Sequence, residues 1–161
     1  APRLTNVTDA DLTEQFNLAI QVRDKTSEAN EAVIAIRELK KQINDRSSKA
    51  KQQKITEAGE AVSRKLSEIE EEIYQVRNRS NQDPLNFPIK LNNQIGALRR
   101  SIETGDGKPT SQSYVVFKEL SERLAIQLKR LEDAINVDLE AFNRVLIENK
   151  LDPVRKQAKN Q

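Results

Sequence analysis

From Asp9 onward, apolar residues fall at Leu12, Phe16, Ala19, Val22, Ala29, Val33, Ile36, Leu39 and Ile43, mostly three or four apart. That is the stripe of an amphipathic helix, and neither Gly nor Pro interrupts the chain between Arg3 and Gly59. Thr8 is placed to cap its start, with Asp9 and Asp11 putting negative charge in the first turn. In the middle, Thr26, Ala29 and Asn30 are small or polar where larger apolar side chains would pack. A polar layer or a close approach by a second helix would account for them. The stripe fades over residues 44–48, where Asn, Asp and Ser can turn the chain. The Lys, Ala and Gln that follow would also continue a helix.

A second stripe is more regular. Ile55, Gly59, Val62, Leu66, Ile69, Ile73 and Val76 step alternately by four and three, a heptad seam. Gly59 lies on that seam at a cost of up to ~1 kcal/mol relative to Ala, which predicts a close crossing against a neighbouring helix. A third, short helix is predicted from Pro88, with Leu91, Ile95, Leu98 and Ile102 on one face and Gly105-Asp106-Gly107 as its stop. The last stripe runs from Tyr114 through Phe117, Leu120, Leu124, Leu128, Leu131, Ile135, Leu139 and Phe142 to Leu146. Thr110 or Ser111 is its cap, and residues 149–153 its end.

The helical pattern breaks over residues 74–93, which hold two of the five prolines. Leu85, Phe87 and Ile89 alternate with Asn86 and Pro88, a period of two. Residues 81–87 are therefore expected to be extended, with Leu85 and Phe87 turned to the core. At 1.5 Å per residue, the four helices come to roughly 55, 43, 25 and 55 Å. A seven-residue extended run spans at most about 25 Å, enough to make up the deficit of the third helix as a layer along the bundle. Short connections elsewhere predict an antiparallel up-down-up-down four-helix bundle over residues 8–149. Residues 1–7 read as a junction from an upstream domain, and 150–161 as a polar, frayed tail.

Composition narrows the chemistry. Hydrophobic residues make up 36% and charged residues 32% of the 161, against usual values of about 45–50% and 25%. That balance fits long helices with wet outer faces. The net charge of +2 comes from 27 basic and 25 acidic residues that alternate along the chain, so no basic stripe points to nucleic acid. Arg99-Arg100 and Lys40-Lys41 read as solvated faces. Cys, His, Met and Trp are all absent. Thiolate and imidazole chemistry is thereby excluded, whether at zinc or in a Ser/His or Cys/His nucleophilic site. No cofactor is expected, and with no initiator Met the chain reads as a processed or excised piece. No apolar run approaches the ~20 residues that cross a bilayer.

Two polar groups merit weighing. Glu68, Glu70, Glu71 and Glu72 form an acidic run, and Glu68/Glu72 share a face. Glycosidase carboxylates occupy a concave site, whereas these flank a heptad seam and are expected to point outward. Ion pairing with Lys65 and Arg77, at a few tenths of a kcal/mol each, is the ordinary account. The second group is Tyr74, Arg77, Asn78, Arg79, Asn81, Gln82, Asn92 and Asn93. Beside a tyrosine, amides and guanidinium groups can bind sugar hydroxyls, carboxylates or a partner's backbone. The same side chains can also satisfy the backbone groups of an extended segment. This group is the candidate interaction surface, and no catalytic or metal residue is assigned. Asn6-Val7-Thr8 and Asn78-Arg79-Ser80 match the short glycosylation pattern.

The segment EEIYQVRNRSNQDPLNFPIKLNNQI, with QFNLAIQVRDKTSEANEAV and SYVVFKELSERL, resembles a known family. It is similar to the C-terminal helical region of large secreted bacterial proteins that carry an Asp-box, sortilin-type β-propeller and are commonly labelled glycosyl hydrolases. The family's junction typically reads DPR, from which Ala1 departs. The resemblance implies an exported protein whose bundle packs on or projects from the propeller or a β-domain. The hydrolase label belongs to the propeller and transfers no site residue to this chain. Three functions follow as expectations: a non-catalytic accessory domain acting as a monomer; part of a glycosyl hydrolase with carboxylate catalysis; or a self-associating coiled-coil module.

Overall fold

A computed structural model describes residues 7–77 and 87–156. The fold is an all-α helical bundle, as the stripes predict. α1 (Asp9–Ala50) is followed by α2 (Gln53–Ile73), α3 (Leu91–Glu103) and α4 (Ser111–Asp133). α4 runs on through a π-helical turn (Ala134–Leu139) into α5 (Glu140–Glu148), forming one fourth rod.

The caps are the ones the sequence specifies. Thr8 and Asp11 form a reciprocal capping box, with Thr8 Oγ1 accepting from Asp11 N at 3.2 Å and Asp11 Oδ2 from Thr8 N at 3.0 Å. The Thr8 hydroxyl, donating to Asp11 Oδ2 at 2.7 Å, and then the Thr8 N–H hold the Asp11 carboxyl below its ordinary pKa. Thr110 caps α4 by accepting from Ser113 N. α1 continues past residues 44–48 to Ala50, because the local Arg, Lys and Ala sustain the helix and Asp45 pairs with Lys49 one turn on at 2.9 Å. Lys51, left-handed at φ 50°, then turns the chain within two residues.

Residue pairings give the helix directions. Gly59 sits against Ile43 and Ser47, while Glu70 bonds Arg37 and Lys40, so α2 is antiparallel to α1 along its C-terminal half. Asn92 meets Asn30, and Gln15 reaches Ile102 O, so α3 is antiparallel to α1 along its N-terminal half. α2 and α3 therefore run the same way, laid end to end. Their 21 and 13 residues, roughly 32 and 20 Å, match most of the ~63 Å of the 42-residue α1. The fourth rod begins beside α1, where Lys108 pairs with Glu14 at 3.0 Å. It returns along α2, where Lys65 meets Asp138 at 2.5 Å and Glu68 meets Arg130 at 3.7 Å. The order of directions is up, down, down, up, which refines the strict alternation expected from short connections. The long connection between α2 and α3 is what permits it.

The core is one continuous cluster that includes Val22, Ala29, Ile36, Leu39, Ile55, Leu66, Ile73, Ile95, Leu124 and Leu146. In the weak middle of α1, Ala29 is fully buried, while Asn30 accepts from Asn92 of α3 at 3.3 Å. Gly59 lies at the tight crossing its seam position predicts: a Cβ there would sit 2.5 Å from Ser47 Oγ, 3.0 Å from Ile43 Cγ2 and 3.3 Å from Phe142 Cζ. The π turn is not apparent in the stripe of α4. It changes the step between buried positions to three, then five, from Leu131 to Ala134 to Leu139, and so rotates Phe142, Asn143 and Leu146 inward.

The tail is not frayed over its described part. Lys150, at φ 60°, closes the rod in a Schellman motif, with Leu151 N donating to Leu146 O and Lys150 N to Ile147 O, both at 2.9 Å. The chain then turns back along α1. Asn143 Nδ2 donates to Val154 O at 3.0 Å, and Asn143 Oδ1 accepts from Val154 N at 2.8 Å. Gln42 does the same for Arg155, at 2.9 and 3.1 Å, and Arg46 donates to Asp152 O at 2.9 Å. Two amide side chains thus read two successive peptide units, and Val154 is buried between them.

Candidate interaction surface at the junction of the second and third helices

α2 ends because Tyr74 leaves the helix for extended backbone, φ −131° and ψ 141°, while its N–H still donates to Glu70 O at 2.7 Å. α3 starts at Leu91 rather than Pro88, since the Pro88 and Ile89 carbonyls are taken by side chains. Gln75 Nε2 donates to Pro88 O at 2.8 Å, and Gln94 Nε2 to Ile89 O at 3.2 Å. With Lys90 facing Glu72 at 3.6 Å, the chain leaves α2 and rejoins α3 at a single place. These two ends are therefore not separated by the roughly 25 Å that the expected layer along the bundle would bridge. Most of the extended run 81–87, Leu85 included, lies outside the described residues. Phe87 is half-buried and lies outside the main core, with the Arg77 guanidinium 5.7 Å from its ring centroid.

At the centre of the junction is Glu70, whose side chain is 5% exposed. Its carboxylate accepts from Arg37 Nε at 2.7 Å and from Lys40 Nζ at 3.1 Å. A buried carboxylate requires such partners, and Arg37 and Lys40 supply them from one face of α1. Bonding to Glu70 raises the Arg37 pKa above its ordinary value, with burial opposing. The same guanidinium lies 4.8 Å from the Tyr74 ring centroid, within cation–π range. Arg37 thus ties Glu70 and Tyr74 together.

The structure brings part of the predicted group to this place. Tyr74 is half-buried under Arg37, and Arg77 is exposed over Phe87 with its N–H donating to Gln75 Oε1 at 3.3 Å. Asn92 donates to Asn30 Oδ1 at 3.3 Å and accepts from Asn93 N at 2.8 Å, and Asn93 is exposed. Asn78, Arg79, Asn81 and Gln82 lie outside the described residues, as do Asn6 and the second glycosylation pattern.

Sequence reasoning missed Glu70, Arg37, Lys40 and Gln75. The acidic run does not all point outward: Glu70 turns to α1, because the flank of its seam faces the two cations. The pairing partners differ as well. Glu68 faces Arg130, Glu72 faces Lys90, and Lys65 is held by Asp138. The available signal was Arg37 and Lys40, three apart on one face of α1 and opposite a carboxylate beside a seam. Among the described residues, no three His, Cys, Asp or Glu side chains are grouped to hold a metal, and no helix is long and apolar enough to cross a membrane. No family model, curated protein or solved structure matches the chain.

Proposed function

We propose that this chain is a non-catalytic helical domain that supports, or binds, a neighbouring part of a larger exported protein. The observation carrying this reading is how the densest polar constellation is used. Glu70, Arg37, Lys40, Tyr74 and Gln75 are spent on bonds to one another and to the flanking backbone, tying α1 to the end of α2 and to the chain leading into α3. Glu68 and Glu72, the pair on one helix face, each lie near a cation on another element. The attachment to a sortilin-type propeller or its β-domain rests on the sequence resemblance, with the exposed Arg77 and Asn93 of the junction as part of the contact.

The test is turnover on the isolated chain against a panel of aryl glycosides. No hydrolysis above buffer is expected. Cleavage that disappears on Glu68→Gln or Glu72→Gln would move the function to the hydrolase reading. Sedimentation over a range of concentrations addresses the self-associating reading. A concentration-independent monomer is expected, and a reversible dimer would displace it.

A further inference from the structure

Gly96 lies inside α3, where glycine opposes helix formation because its backbone loses the most freedom on folding. Gly59 has a packing reason to be glycine, and Gly96 has none. A Cβ built there meets nothing within 4 Å, and its φ is not positive. The bare backbone faces an open cleft of about 470 Å³ between α1 and α3, the size of a small-molecule site. Arg23, Thr26 and Ser27 line it from α1, and Arg99, Arg100 and Glu103 from α3.

The cleft carries more cation than anion. Asp24 accepts from Arg23 at 2.7 and 2.9 Å, and Glu103 accepts from Arg99 Nε at 2.9 Å. Arg100 has no carboxylate partner among the described residues. Planar N–H donors therefore exceed the acceptors around them, the arrangement that takes up an oxyanion. The hydroxyls have the opposite bias. Thr26 Oγ1 donates to Val22 O at 2.9 Å and Ser27 Oγ to Arg23 O at 3.1 Å. Their hydrogens are committed, and their oxygens remain as acceptors for a ligand's own O–H groups.

We infer that this cleft binds a small polyhydroxylated molecule bearing a phosphate or sulfate ester. The ester lies on Arg100 with Arg23 and Arg99, the hydroxyls on Thr26 and Ser27, and the body against the backbone at Gly96. Arg99-Arg100, a solvated pair by sequence, becomes one wall of the site.

The test is calorimetric titration of the whole chain with glucose 6-phosphate and glucose 6-sulfate as probes, and with glucose and inorganic phosphate as the separate halves. Saturable binding of at least one ester is expected, tighter than either half by about tenfold or more, with the two esters separating phosphate from sulfate. Arg100→Ala and Gly96→Leu are each expected to weaken it by about tenfold. Gly96→Ala, which raises helix propensity without a clash, keeps the fold intact and serves as the control if the leucine variant misfolds; it too should weaken binding. No saturable binding, binding of phosphate alone as tight as the ester, or indifference to Arg100→Ala or Gly96→Ala would each overturn the proposal.

Discussion

The two ends of the bundle are built from the same helices and packed differently. At the end where α1 turns into α2, Gly59 lets three elements meet within van der Waals distance. There the fourth rod buries Leu139, Phe142, Asn143 and Leu146 within eight residues. At the other end, α4 buries only Leu120, Leu124 and Leu131 across 23 residues. Phe16, Val115 and Ile126 are exposed, and Gly96 opens onto a cleft. The chain places its closest crossing at one end, although exposed apolar side chains occur there too, at Val137 and Ile147. In a helical bundle without cysteine, no disulfide adds to apolar packing, so the tight end contributes more to stability and the looser end has room for a ligand.

The sharpest way to break this contrast is one substitution made at each end. Phe142→Ala removes a ring that is 2% exposed and is expected to cost about 3–5 kcal/mol in a denaturant melt. Phe117→Ala, at a half-buried position against the same core, is expected to cost less than half as much, about 1–2 kcal/mol. Equal losses would show that the two ends are not different. Asn143→Ala comes next. It leaves the buried Val154 N–H and C=O without their partner, at a cost of about 1–3 kcal/mol. Exchange of the Val154 amide hydrogen should accelerate with it, and an unchanged rate would remove the tail from the tight end. The smallest effects come from the glycines, and they differ in sign. Gly59→Ala gains helix propensity but crowds Ser47, Ile43 and Phe142, for a net loss of about 1–2 kcal/mol. Gly96→Ala meets nothing and should stabilise by up to ~1 kcal/mol. Two shifts of the same sign in thermal melts would refute the packing difference.

What the sequence made legible was local. The stripes of α1 and α2, the caps at Thr8 and Thr110 and the crossing at Gly59 each depend on residues within a turn or two, or on one steric rule. What it hid depended on distant partners. Glu70 is buried only because Arg37 and Lys40, 33 and 30 residues away, face it. The tail is held because Gln42, 113 residues from Arg155, reads its backbone. The direction of α3 was hidden for a related reason. The period of two over residues 85–89 does not say how far apart the two helix ends lie, and it takes the bond from Gln75 to Pro88 to bring them together. The candidate surface was legible as a place, through Tyr74, Arg77, Asn92 and Asn93, but not as a mechanism. Its organising carboxylate looked like one more charge on a wet face.

Because Gln75 donates to Pro88 O, the end of α2 and the start of α3 are brought to one place. Once two such ends are held together, the entropic cost of the chain between them depends only weakly on its length, about 0.6 kcal/mol for each doubling. The bond from Gln75 to Pro88 is therefore a clasp, which holds the end of α2 to the start of α3.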